Sequence, residues 1–129
     1  MSAASARNKA NRGKGKRWES ELREGFRKEC GFDIEKLRDT GAKDEGDLVL
    51  RDIVDGETFF TVIEAKNAKF EPGVFMAEAE LEGKHFAEHR GLDADKVTPV
   101  AIVKRRGHGF RKAYVLTTVE HYFDLEPVK

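Results

Sequence analysis

GDLVLRDIVDGETFFTVIEAK, residues 46–66, reads as two apolar runs joined by Asp55–Gly56. Asp-Gly between such runs signals a two-residue β-hairpin turn. With residues 55 and 56 as the loop, 54 faces 57 and, continuing outward, 47 faces 64. Directly opposed residues have Cβ atoms about 4.5–5.5 Å apart. Asp47 and Glu64 would therefore repel each other unless a proton or a cation lay between them. Lys66 is two residues beyond Glu64, so it projects from the same face. Asp47, Glu64 and Lys66 side by side make a site for a hard cation with an ammonium next to it, a combination suited to metal-assisted phosphodiester hydrolysis.

The hairpin also predicts layering. One face carries Leu48, Leu50, Val54, Phe59 and Ile63; the other carries Val49, Ile53, Phe60 and Val62 besides the three polar residues. A sheet that is apolar on both faces needs a layer on each side. Working outward, Trp18, Leu22 and Phe26 recur every four residues and predict an amphipathic helix from Lys16 to Glu29, ended by Gly31. Residues 1–15 are small, polar and basic, and read as a flexible basic arm preceding a single domain over 16–129. Phe32–Arg38 reads as a short strand and 39–46 as a polar loop. Pro72–Gly73 opens a second helix over about 74–90. Val97–Lys104 and Phe110–Leu116 read as strands around a Gly107–His108–Gly109 turn. Thr117 and Glu120 have capping-box spacing before a short helix over Val119–Phe123. The predicted class is α/β, with a mixed sheet between helices in the order α-β-β-β-α-β-β-α.

The 129 residues carry 24 basic and 24 acidic side chains, so formal charge is zero, but the charges are segregated. Arg7, Lys9, Arg12, Lys14, Lys16 and Arg17 cluster without an acid, and Lys104, Arg105, Arg106, Arg111 and Lys112 form a second basic group. Acids concentrate over 39–57 and 71–88. Two basic patches around an acidic centre fit a rim for phosphates around a cation site. His108, in the basic turn, fits a phosphate contact as well. A single cysteine, Cys30, excludes an internal disulfide, fits a reducing compartment and reads as a partly buried helix-end residue. No apolar run approaches the length of a membrane span. A cytoplasmic or intracellular location is expected, in the host cytoplasm for a viral protein. His85 and His89 have zinc-compatible i, i+4 spacing, but no third ligand is evident and they read as surface histidines.

Glu19 is the remaining candidate. At 100° per residue it lies about 20° beyond Phe26, on the edge of the buried stripe, where a carboxylate can reach an adjoining sheet. Glu21 flanks the opposite edge.

Lys14–Gly15–Lys16–Arg17–Trp18–Glu19–Ser20–Glu21–Leu22 resembles the K-G-x-x-x-E-x-E-L opening of archaeal-type Holliday junction resolvases, which belong to the PD-(D/E)xK nuclease superfamily. Arg38, Gly41, Gly46–Asp47–Leu48–Val49 and Val62–Ile63–Glu64–Ala65–Lys66 follow in that family's order and approximate spacing. The similarity runs from Lys14 through 97–104. The resemblance implies a restriction-endonuclease-like fold, with Glu19, Asp47, Glu64 and Lys66 as the catalytic set. It also implies Mg²⁺ at Asp47, Glu64 and Glu19, with Mn²⁺ able to substitute, Arg38 as a DNA contact and a homodimer on branched DNA. Gly46 stands where the superfamily name expects a proline. Related nucleases acting on flaps, single strands or duplexes, and a DNA-binding protein whose carboxylates are structural, are the alternatives.

Overall fold

The computed structural model of the chain describes residues 3–38 and 43–126, with side chains from residue 13 onward. Gly41 and the side chains of Arg7, Lys9 and Arg12 lie outside the described residues. Helix α1 (Ala3–Cys30) leads into strand β1 (Asp33–Lys36), the hairpin β2 (Leu48–Val54) and β3 (Glu57–Lys66), helix α2 (Pro72–Arg90), strands β4 (Val97–Val103) and β5 (Tyr114–Leu116), and the short helix α3 (Val119–Tyr122). The five strands lie in sequence order. All neighbouring pairs are antiparallel except β3 and β4, which α2 connects in parallel.

The hairpin has the expected register, with Val54 opposite Glu57 and Leu48 opposite Ile63. Both turn residues take positive φ, 51° at Asp55 and 80° at Gly56, as a type I′ turn requires. The alternation then sorts the core. Leu48 and Ile63 pack with Trp18 and Leu22 of α1, with Ile34, and with Val100 and Ile102 of β4. Val49 and Val62 face the other way, against Phe86 and Ala87 of α2. Ala101 and Val103 continue that second face against Phe75 and Ala79. The result is a helix–sheet–helix sandwich whose central strands are covered on both sides. Trp18 is buried, and its indole N–H donates to the Ile102 carbonyl at 3.1 Å, tying α1 to the sheet.

Several boundaries differ from the sequence reading. α1 begins at Ala3, so the backbone expected to be a flexible arm is helical; the alanines among its first residues are the strongest helix formers and outweigh Gly13 and Gly15. Over 110–116, Phe110–Lys112 forms a 3-10 turn and only three residues remain as β5. The capping box is not used: Thr118 caps α3 by accepting from the His121 amide, while the Thr117 hydroxyl donates to the Pro99 carbonyl. Cys30 is exposed rather than partly buried. No helix among the described residues is long and apolar enough to cross a membrane.

Gly46, which introduces β2, has φ of 105°. Proline is locked near about −65°, so this backbone excludes the residue that the superfamily name places here. A Cβ at Gly46 would also meet Val62 Cγ1 at 2.9 Å. Gly46→Ala is therefore expected to destabilise the chain by about 1–3 kcal/mol, from combined backbone strain and overpacking. In urea titrations the midpoint should fall with the slope unchanged; an unchanged midpoint would show that the loop relaxes freely.

Candidate active site

Asp47 lies just off the end of the β2–β3 ladder. Its amide donates to the Ile63 carbonyl at 3.0 Å, and its own carbonyl accepts from Leu37 at 2.9 Å. This anchoring turns the carboxyl back onto β3, where Oδ2 accepts from the Ala65 amide at 2.8 Å. Thus Asp47 meets Glu64 across the hairpin end, although it is not a ladder partner of Glu64 as the simple register predicts. Leu37 is buried and pinned to Asp47, which places the following Arg38, exposed, at the same sheet end.

α2 adds two carboxylates that the sequence reading did not select. Glu64, Glu78 and Glu82 each present an oxygen, all within 4.8 Å of one another. Phe75, Ala79 and Phe86 form the buried stripe of α2. Glu82 follows Phe75 by seven residues, so it occupies a position of that stripe. A carboxylate at an apolar position was the signal that could have found it. Glu82 Oε2 is shut from solvent and has no hydrogen-bond partner. Lys66 Nζ donates to Glu78 at 2.5 Å, lies 3.5 Å from Glu64 Oε1, and sits 5.4 Å above the Phe75 ring.

Crowding like charges away from water shifts their protonation. Burial, then the neighbouring Glu64 charge, pushes Asp47 up to about 7. Burial, then contact with Glu82, pushes Glu64 up to about 8. Glu82 is raised as well, chiefly by burial. Burial opposes the Lys66 charge, but the hydrogen bond to Glu78 and the charges of Glu64 and Glu78 outweigh it, and the ammonium is held above its ordinary value. Asp47 and Glu64 are thereby shifted toward the protonated form near neutrality. An all-oxygen donor set that is costly to ionise alone, with a buried oxygen lacking a donor, fits a hard divalent cation.

Glu19 is close but separate. It is half-buried on α1, with its nearest cation Lys36 at 3.9 Å. Burial first, then the Asp47 charge, raises its pKa, so it borders the cluster electrostatically. Its partner Glu21 on the opposite edge pairs with Lys104 at 3.2 Å. Among the basic candidates, Lys104 also lies 4.8 Å over the Trp18 ring, Arg105 lies over Tyr114, and Arg111 pairs with Glu29 at 3.0 Å. Lys16, Arg17, Arg106 and His108 are solvent-exposed, and Lys14 is half-buried. His85 and His89 act structurally: His85 Nδ1 is 2.9 Å from the Asp44 carbonyl, and His89 and Arg90 both bind the buried Glu45 carboxylate, fixing the loop that delivers Asp47.

Comparison with protein-family models, curated proteins and solved structures finds no match.

The shifted carboxyls set a pH dependence. Both folded values, about 7 and about 8, exceed the ordinary 3.8 and 4.5, so the folded state binds more protons than the unfolded one. Their contribution to stability is complete below about pH 4 and is lost as pH rises through 7 and 8. In EDTA, the urea midpoint should fall from pH 5 to pH 8.5, and Glu64→Gln should flatten that fall. A wild-type midpoint that rises over this interval would contradict the shifts.

Proposed function

We propose that the chain is a Mg²⁺-dependent DNA endonuclease of the PD-(D/E)xK type that cuts four-way junctions. The observation that carries the reading is the meeting of Asp47, Glu64 and Lys66 at one sheet end, where burial and neighbouring charge push both carboxyls above their ordinary range. The resemblance of residues 14–22 and 46–66 to junction resolvases narrows nuclease to resolvase. A restriction-endonuclease-like identity for the α/β sandwich belongs to the same proposal.

In this reading Asp47 and Glu64 hold the cation, Glu82 supplies a further oxygen, and Glu19 acts from the border of the site. When bound, a divalent cation supplies Lewis-acid polarisation of a phosphate and acidifies water; Mn²⁺ offers the same chemistry. The chain's own work is positioning. Lys66 brings an ammonium to where negative charge grows on the phosphate, and preorganised charge of that kind is a large catalytic term. Glu78 and the Phe75 ring keep that ammonium charged and in place. Arg38, Lys14, Lys16, Arg17, Lys104, Arg105, Arg106, His108 and Arg111 serve as backbone contacts that position DNA without reading bases. A junction has two equivalent strands to cut, and a C₂ homodimer with two dyad-related sites matches that symmetry.

Synthetic junction, flap, single-stranded and linear DNA incubated with Mg²⁺ or EDTA test the proposal. Paired nicks in opposed junction strands are expected with Mg²⁺ only. Asp47→Asn and Glu64→Gln should abolish cleavage while binding persists, and Lys66→Ala should slow the single-turnover rate by about 10²-fold or more. Cutting of linear duplex at the junction's rate would remove the resolvase reading. DNA binding without cation-stimulated cleavage of any substrate would remove the nuclease.

A further inference from the structure

Beside the carboxylate cluster lies a pocket of different character. Lys14 of α1, the connection after β3 and the turn after β4 converge around a cavity of about 340 Å³. Lys14, Asn67, Lys69, Phe70, Lys104 and Arg106 line it, and among the described residues no acid does. Of its four cations, Lys104 has an acidic partner, Glu21. Among the described residues, Lys14, Lys69 and Arg106 make no ion pair. Gathering like charges around a concavity is unfavourable until an anion enters it.

Phe70 gives the pocket a second chemistry. Its side chain is 52% exposed, so it is not a core residue. Phe75 and Tyr114 hold its ring edge-on, with centroids 6.5 and 6.1 Å away. A ring braced by two others yet open to solvent is a platform for stacking. The pocket also joins the proposed active site directly. Asn67 follows Lys66, the Lys104 amide donates to the Lys66 carbonyl at 2.9 Å, and Phe75 touches both Phe70 and the Lys66 ammonium.

We propose that this pocket binds one unpaired nucleotide of the DNA strand, with its phosphate on the cations and its base on Phe70. The inference rests on the nuclease reading and extends it, because it defines a subsite next to the phosphate to be cut. The cavity is at the small end of ligand pockets, which span about 300–1,000 Å³, and has room for one residue of a strand rather than a duplex. Stacking on an aromatic side chain is open only to a base that has left its own stack, and is tolerant of sequence. The pocket would therefore select DNA whose strands part near the cut, by shape and not by sequence.

The test is binding by the full chain in EDTA, where no cleavage intervenes. The probes are a labelled blunt duplex and the same duplex with a three-nucleotide overhang containing 2-aminopurine. Wild type should bind the overhang DNA more tightly and change the 2-aminopurine emission. Phe70→Leu should weaken overhang binding by about tenfold, as expected for loss of one base–aromatic stack, and leave the blunt duplex unchanged. Phe70→Trp keeps a π-face and should keep the preference, with indole emission quenched by the overhang DNA only; it serves as the readout if the Leu variant does not fold. Lys69→Gln with Arg106→Gln should lower the slope of log affinity against log salt by roughly 0.7 per lost single-strand contact. Equal loss on both DNAs, no loss, or a changed oligomeric state with overhang binding intact would overturn the proposal. Overhang binding through Phe70 in a chain that never cleaves would leave the pocket standing and reject the nuclease; cleavage indifferent to Phe70 would do the reverse.

Discussion

The pairing of β2 with β3 is the constraint on which the other features depend. Side chains alternate across a sheet, so a slip of one residue in β3 against β2 would exchange the α1 and α2 faces of β3. Ile63 would leave Trp18 and Leu22, and Val62 would leave Phe86. The same slip would carry Glu64 and Lys66 away from α2 and its two carboxylates. Turn chemistry and burial thus hold the charged cluster in place; within it the Lys66–Glu78 and Ala65–Asp47 bonds are favourable, while the carboxyls repel one another. Like-charged groups pressed together at the edge of a core are tolerated because the sheet and α2 are fixed by apolar contacts on either side.

Much of this was legible in the chain. Asp55–Gly56 between two β-rich runs gave the turn, and the turn gave a register that holds from Val54–Glu57 to Leu48–Ile63. The spacing of Trp18 and Leu22 gave the buried face of α1. What escaped was tertiary. Glu78 and Glu82 fall in the acidic stretch 71–88 but are not singled out by the sequence, because periodicity identifies apolar stripes and says nothing of which carboxylates they carry. Only the packing of α2 on β3 brings them to Glu64 and Lys66. Asp47 lies at the sheet end next to Glu64 but outside the expected ladder, where it accepts from the Ala65 amide after a Gly46 of positive φ, neither of which sequence spacing reports. The helix starts at Ala3 and not at Lys16, because the apolar spacing that marks its buried face begins only at Trp18.

The loop before Asp47 shows how remote residues serve the site. Glu45 is buried between His89 and Arg90, and His85 reaches the Asp44 carbonyl. The C-terminal end of α2 therefore clamps the loop, while its middle supplies Glu78 and Glu82. A histidine pair with metal-like spacing proves to be a fastening for the segment that carries an acid.

Asp47, Glu64, Lys66, Glu78 and Glu82 all fall within one unbroken segment, hairpin followed by helix. Closing short loops costs little chain entropy, and local contacts form early in folding. Docking α2 on the hairpin is the contact that brings these carboxyls together, so protons or cations that quiet the cluster lower the cost of that one contact.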